Sequence, residues 1–105
     1  MSNSAAADIF AALGDRTRLA VLSRLSAGEP RSISTLAQGA GLTRQAVTKH
    51  LRVLEGAGLV GSARVGRESR YAYRPQAVDE ARAYLDQVSA QWDAALGRLK
   101  ALVEG

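Results

Sequence analysis

Two short helical patterns, separated by a tight turn that contains glycine, restrict the fold of this chain more than any other feature. Ser34 is the predicted N-cap of the first helix, and Gly41 ends that helix where a left-handed backbone is needed. Thr43 is the predicted N-cap of the second helix, which ends at Gly56. Two short helices joined in this way predict a helix-turn-helix over about residues 34–56.

The second helix of the pair has two chemically different faces. At 100° per residue, its apolar stripe consists of Val47, His50, Leu51 and Leu54. The opposite face carries only basic or uncharged polar side chains, which are Arg44, Gln45, Thr48, Lys49 and Arg52. A solvated face usually mixes both signs of charge, because opposite charges four residues apart support the helix. A face without an acid therefore favours contact with a polyanion over simple solvation.

The side chains of this face match the groups that double-stranded DNA presents in its major groove. Arginine and lysine donate to guanine, glutamine bonds adenine through two hydrogen bonds, and threonine contacts either a base edge or the thymine methyl group. Residues near the start of a recognition helix reach the bases. We therefore assign base reading to Arg44, Gln45, Thr48 and Lys49. Contacts with the DNA backbone are assigned to Thr43 and Arg52.

A basic hairpin is predicted directly after the second helix, over about residues 59–74. Two runs of β-branched and aromatic residues flank the turn sequence "GRE", and Pro75 ends the second run because proline cannot donate to a strand ladder. Such a wing can contact phosphates or a minor groove, although charged hairpin tips also serve solubility. We assign further backbone contacts to Arg64, Arg67 and Arg70.

The positive charge of the chain is concentrated in this region. The whole chain has a formal net charge of +4. Between Thr43 and Arg74 there are seven basic and only two acidic side chains, so the rest of the chain is close to neutral. A contiguous basic third of a chain predicts a polyanionic partner.

Helices are also predicted at both ends of the chain. Ala5–Leu13 is rich in helix formers, and Asp15 is the predicted N-cap of a second helix. The apolar stripe of that second helix is Leu19, Val21, Leu22 and Leu25. The last helix, over about residues 76–103, has the apolar positions Val78, Ala81, Leu85, Val88, Trp92, Ala95, Leu99 and Leu102. These alternate in steps of three and four, and so narrow a seam predicts a partner helix.

Two titratable side chains leave alternatives open, and two tyrosines are assigned to packing. His50 is interpreted as a boundary residue bonded to a neighbour, with a phosphate contact as the alternative. Arg74 is either structural or a peripheral phosphate contact. Tyr71 and Tyr73 are predicted to pack on one face of the hairpin.

Composition excludes several classes of function. The chain has no cysteine, which excludes disulfides, thiolate metal sites and cysteine nucleophiles, and it has only one histidine. It contains no phosphate-binding loop or nucleophile elbow. We therefore expect no enzyme activity, no cofactor and no metal. No apolar run is long enough to span a bilayer, and no secretory signal is present at the start, so we expect a cytoplasmic protein.

Three blocks of the chain together resemble the ArsR/SmtB family of bacterial winged-helix repressors. "FAALGDRTRLAVLSRL" resembles the opening helices of the family, "ISTLAQGAGLTRQAVTKHLRVLEGAGLV" its helix-turn-helix and "GRESRYAYRP" its wing. The helix-turn-helix alone would also suit MarR-like regulators. The resemblance implies a mainly α winged helix-turn-helix domain with a small β-hairpin, which forms a homodimer through its first and last helices. The implied interface residues are Ile9, Phe10, Leu13, Leu85, Val88, Trp92 and Leu99.

One departure from the family pattern concerns metal sensing. Metal-sensing members resemble this chain in fold but carry a Cys-x-Cys site before the recognition helix, or His and carboxylate ligands on the last helix. This chain has "STLAQGAG" at the first location and no histidine in its last helix. The expected function is a non-metal-sensing repressor, one domain over residues 1–105, that binds a dyad-symmetric DNA operator as a homodimer. The alternatives are an activator of the same fold or a protein-interaction module on a winged-helix scaffold.

Overall fold

Five helices and three short strands make up residues 1–104, which are the residues that the computed structural model describes. In chain order they are α1 (Asn3–Leu13), α2 (Arg16–Ser26), β1 (Arg31–Ser32), α3 (Ile33–Ala40), α4 (Arg44–Gly56), β2 (Val60–Val65), β3 (Glu68–Tyr73) and α5 (Pro75–Glu104). The predicted mainly α fold with a winged helix-turn-helix is confirmed, with α3 and α4 as the helix pair and β2 and β3 as the wing.

The first four helices begin at side-chain caps. Asp15 accepts a hydrogen bond from the backbone N–H of Arg18, and Thr43 accepts one from Ala46, so both predicted caps are confirmed. The prediction for α3 was wrong, because Ser32 is its cap and accepts from Thr35. Ser32 also belongs to β1, where strand pairing holds its backbone in the extended conformation that an N-cap requires.

The junction between α1 and α2 is closed by the side chain of Arg18. Its Nε donates to the carbonyl of Ala12 at 2.8 Å, and its Nη2 donates to the carbonyl of Ala11 at 3.2 Å. These carbonyls lie in the last turn of α1, where the regular i+4 N–H donors are missing, and that of Ala11 also accepts from the backbone N–H of Gly14 at 3.2 Å. Arg18 therefore terminates one helix while Asp15 starts the next, which fixes the turn between them.

The sheet is antiparallel, in the order β1-β3-β2. The predicted hairpin is confirmed, and its turn begins at Gly66, which has φ +63°. Glycine tolerates this left-handed value, and it is the favoured first residue of a two-residue hairpin turn. Strand β1 was not predicted, because two residues are too short to show a period-two pattern.

The core lies where α2, α3, α4 and the sheet meet. Its fully buried side chains are Leu25, Leu36, Leu51, Leu54, Leu59, Val21, Val47 and Val60. The predicted stripe of α4 is thus confirmed at Val47, Leu51 and Leu54, while His50 is half-buried. The stripe of α2 was wrong at one position, because Leu19 is 46% exposed while Val21, Leu22 and Leu25 face the core.

Helix α5 is joined to the rest of the protomer only along its first part. Ala77 and Ala81 are buried, and the hydroxyl of Tyr84 donates to Asn3 Oδ1 on α1 at 2.9 Å. Beyond this point the helix projects, and the molecule measures 68 × 23 × 23 Å. The radius of gyration is 18.2 Å, against about 13 Å for a compact chain of this length. No helix within residues 1–104 is long and apolar enough to cross a membrane.

We expect the stability of the protein to depend on pH in the acid range, because of Asp15. The backbone N–H of Arg18 lowers the pKa of Asp15 below its ordinary value, because it stabilises the carboxylate. The stabilisation is present above the unfolded-state pKa and is lost as the pH falls through the lower folded-state pKa. Asparagine caps helices well without titrating. We expect the urea midpoint of the parent to exceed that of Asp15→Asn at pH 7, and the difference to shrink below the ordinary aspartate pKa. A difference that is constant with pH would contradict this role.

Candidate nucleic-acid interface

Helix α4 is fixed to the core by one face and leaves the other face in solvent. Val47, Leu51 and Leu54 are fully buried. His50 is half-buried at the edge of this stripe. The N-cap at Thr43 and the left-handed Gly41 before it set the direction in which α4 leaves the turn. The helix is therefore presented as a rigid surface feature.

The five polar residues of α4 lie together on its solvent face. They border one shallow depression, lined by Arg44, Gln45, Thr48, Lys49 and Arg52. Within residues 1–104 no carboxylate forms an ion pair with any of the three cations in this set. The cations are thus free to contact an external anion, which agrees with the predicted polyanion-binding face.

The carboxylate of Glu55 is held away from the cations by a strand residue. Ser62 on β2 donates from its hydroxyl to Glu55 Oε2 at 2.9 Å. This bond ties the last turn of α4 to the wing. The sequence did not reveal it, because residues seven apart across a helix-to-strand junction share no periodicity.

Thr48 differs from its neighbours in how its side chain is bonded. Its hydroxyl donates to the backbone carbonyl of Arg44, one turn earlier, at 2.7 Å. The side chain is half-buried, whereas Arg44, Gln45, Lys49 and Arg52 are exposed. Thr48 therefore forms the floor of the depression, with longer polar side chains around it.

The three wing arginines do not share one face of the hairpin. Arg64 lies opposite Ser69 and Arg70 lies opposite Ala63, and neighbouring cross-strand pairs point to opposite faces. Arg64 is thus on the same face as Tyr71, while Arg70 is on the other, where its Nε lies 3.4 Å from Glu68 Oε2. Arg67 follows Gly66 at the exposed tip. The structure brings Arg67 and the α4 residues to the surface as separate groups.

Arg74 has a structural contact. Its guanidinium covers Gly61 on β2, so that a Cβ at position 61 would collide with it. Its backbone N–H also donates to the carbonyl of Leu59 at 3.0 Å. These contacts support the structural interpretation of Arg74 over the phosphate contact.

A second exposed surface is the distal half of the α5 seam. Trp92 is 66% exposed and Leu102 is 81% exposed, and Leu96, Leu99 and Val103 are also uncovered. Phe10 and Leu13 of α1 are partly buried, and the Phe10 ring lies 6.3 Å from that of Tyr84. Ile9, expected at a dimer interface, is only 3% exposed and belongs to the core of the protomer. It faces inward on α1, so a second copy cannot contact it.

No three side chains of His, Cys, Asp or Glu within the described residues 1–104 lie close enough to hold a metal ion. The carboxylates of α5 include Asp79, Asp86 and Asp93, which recur every seven residues along one line of the exposed helix. A line of carboxylates at this spacing is a solvated helix face.

Comparisons with known proteins agree on one class. A family model described as a helix-turn-helix domain matches residues 13–61. The chain is 45% identical over 65 residues to the uncharacterized HTH-type transcriptional regulator YuzN of Bacillus subtilis (strain 168), covering 56% of this chain and 71% of that protein. It is 34% identical over 93 residues to the HTH-type transcriptional regulator Rv2034 of Mycobacterium tuberculosis, covering 89% and 83%. Fold, exposed basic helix and relatives together define a transcriptional regulator with a winged helix-turn-helix DNA-binding fold.

Two solved structures identify the family within this class of transcriptional regulators. The ArsR-like transcriptional regulator from Rhodococcus sp. RHA1 superimposes with a TM-score of 0.86 at 37% identity, covering 94% of this chain and 92% of that one. A second ArsR family transcriptional regulator superimposes with a TM-score of 0.78 at 31% identity, covering 89% of this chain and 95% of that one. The protein belongs to the ArsR family, and the resemblance found in its sequence is confirmed.

Proposed function

We propose that the protein is a repressor that binds a DNA operator of dyad symmetry as a homodimer and does not sense metals. The observation that carries the proposal is the combination, on one protomer, of a carboxylate-free basic face on α4 and an uncovered apolar seam on α5. The basic face favours a polyanionic partner, and the apolar seam favours a partner helix. A dimer on duplex DNA provides both.

In this proposal α4 lies in the major groove, with its depression facing the base edges. Arg44, Gln45, Thr48 and Lys49 contact bases, while Arg52, one turn further along the helix, contacts phosphate. Thr43 contributes the start of α4, whose free N–H groups favour phosphate. Arg64 and Arg67 of the wing add backbone contacts. Arg70 contributes less than they do, because Glu68 already offsets its charge.

The dimer is supported by the size and chemistry of the α5 seam. Large side chains are uncovered along the distal half of one helix, from Trp92 to Val103. An apolar stripe this long is unusual on the surface of a soluble monomer. A second copy offers an identical seam, and identical seams pair about a two-fold axis. Leu85 and Val88 extend this interface toward the body of the protomer, where Phe10 and Leu13 adjoin it.

Repression requires nothing beyond tight binding at a promoter, since an occupied promoter excludes polymerase. The metal-independent part of the proposal rests on the ligand types, because the chain has no cysteine and its last helix has no histidine. A signal other than a metal bound at the two family locations would then release the DNA. The proposed site of action is the cytoplasm, where bacterial DNA lies.

The response of DNA binding to salt tests the backbone contacts. Each phosphate contact releases counterions, so affinity should fall steeply with salt concentration. Arg52→Ala removes one contact in each of two subunits. We expect it to weaken binding to all duplexes by a similar factor, and to reduce the slope of log affinity against log salt by about 2. Titrations of a labelled duplex between low and physiological salt measure both quantities, and an unchanged slope would contradict a phosphate contact at Arg52.

Protection of the promoter of the protein's own gene tests the rest of the proposal. We expect two protected half-sites, related by a dyad and about one helical turn apart, and less transcript in vitro when the protein is added. More transcript with the same protection would favour an activator. A protein-interaction module would show no salt-dependent duplex binding, and its α4 face would tolerate Arg52→Glu.

A further inference from the structure

The chemistry that α4 presents at Thr48 is restricted by the hydrogen bond of its hydroxyl. A threonine can read DNA in two ways, through the hydroxyl to a base edge or through the methyl to thymine. The sequence alone leaves both open. In the structure the hydroxyl hydrogen is used by the carbonyl of Arg44 at 2.7 Å, so Thr48 has no hydrogen left to donate to a base.

The bond also determines which atom faces outward. Threonine is stiff about its first side-chain torsion, because two heavy atoms branch from Cβ. A hydroxyl turned back to the carbonyl four residues earlier takes the position next to the backbone. The other branch, the methyl group, is then the part of Thr48 that the depression on α4 presents to solvent.

The surroundings of this methyl make it the apolar floor of a polar site. Gln45 and Arg52 lie one turn away on either side of Thr48, and Arg44 and Lys49 complete the rim. These four exposed side chains are longer, so they can reach hydrogen-bonding groups of the groove or the phosphates from further away. Thr48 is shorter and half-buried, so it can meet only a group that projects outward from the base pair.

We propose that Thr48 is a methyl-reading position and that each operator half-site places a thymine methyl group against it. The thymine methyl is the apolar group that an unmodified duplex projects into the major groove. The inference rests on the proposed DNA-binding function and specifies what that site recognises.

The experiment begins with duplexes that the parent protein selects from a random library. Deoxyuridine then replaces thymine at one position of the half-site at a time, which removes the methyl group and leaves base pairing unchanged. We expect one position at which this weakens parent binding by about fourfold per half-site, the factor for one buried methyl group. If no thymine in the half-site behaves in this way, the inference is wrong.

Two variants separate the methyl from the hydroxyl. Thr48→Val keeps the methyl and should bind the thymine duplex more tightly than Thr48→Ser does. Thr48→Ser keeps the hydroxyl and should lose about fourfold per half-site on thymine, with no further loss on deoxyuridine. The reverse order, with valine weak and serine strong, would assign the reading to the hydroxyl as an acceptor and overturn the proposal.

Controls keep this test apart from the proposed function itself. Thr17→Ser on α2 makes the same chemical change away from the α4 face and should bind as the parent does, and helical circular dichroism checks that all variants fold. If the parent selects no sequence and shows no salt-dependent duplex binding, the DNA-binding proposal fails. If the parent selects a site but the order of Thr48 variants is reversed, only the methyl-reading proposal fails.

Discussion

Trp92→Glu is expected to leave the chain monomeric and to reduce its affinity for the operator by about 10²-fold to 10⁴-fold. Trp92 is 66% exposed on the projecting half of α5, so the core of the protomer does not need it. In a dimer, however, the substitution places a carboxylate in the apolar seam, where burial of an unpaired charge is costly. A monomer binds one half-site and loses the gain from linking two. Sedimentation and duplex titration at the same protein concentration measure the two effects.

The matched control for this variant is Ala90→Glu. Ala90 is exposed two residues earlier, about 160° around the helix from Trp92 at 100° per residue. It adds the same charge on the solvated side, so the dimer and operator binding should be retained. If Trp92→Glu remained a dimer, or if both variants became monomers, the seam would not be the interface.

Arg44→Ala is expected to weaken operator binding by roughly 1–3 kcal/mol in each half-site. A symmetric dimer loses the contact twice, so the total loss corresponds to about 30-fold to 10⁴-fold. Arg44 is exposed at the first position of α4 and has no acidic partner within residues 1–104. Removing it should leave the fold intact. Because a base contact carries sequence information, the variant should also relax the preference at one base pair of the half-site.

Lys100→Ala removes the same charge at a distance from α4. Lys100 lies near the end of α5, where its Nζ is 3.9 Å from Glu104. It should reduce affinity little. Equal losses for Arg44→Ala and Lys100→Ala would mean that only net charge matters, and affinity unchanged in Arg44→Ala would remove this residue from the site. Selection of duplexes from a random library compares the base preferences of both variants with those of the parent.

The exposed polar face of α4 was predictable because its signals are local. Thr43, Gly41 and the apolar stripe of Val47, Leu51 and Leu54 fix the start and rotation of the helix, and the polar face follows by periodicity. The charge pattern required no structural information. The bond from Thr48 to Arg44 was not predictable, because threonine has a second rotamer in helices and the sequence does not choose between them.

Contacts between distant parts of the chain account for what the sequence did not reveal. Arg31 and Ser32 form strand β1 because they pair with β3, nearly 40 residues later in the chain. This pairing makes Ser32 the N-cap of α3, where the sequence predicted Ser34. Arg64 and Arg70 were grouped by composition, yet the strand register places them on opposite faces. Pairing across the sheet decides such positions, and no pattern within either segment encodes it.

The first helices show the same limit for apolar residues. Helical spacing marked Leu19 as a member of an apolar face, and the family resemblance placed Ile9 at an interface, but neither said which surface the residue meets. Ile9 turned out to be buried within the protomer and Leu19 to be exposed. Spacing defines a face, whereas the packing of α1, α2 and α4 defines what covers it.

The position of the chain's one tryptophan has a practical consequence for experiments. Indole fluorescence depends on the polarity around the ring, and Trp92 is exposed in the isolated protomer, in the seam that a second copy would cover. Association would therefore be reported by the emission wavelength of an unmodified sample. Helix α4 contains no tryptophan, tyrosine or phenylalanine, so the proposed DNA-binding face lies on a helix without a fluorescent side chain. Trp92 is thus an intrinsic optical probe of the proposed assembly, separate from the proposed DNA-binding surface.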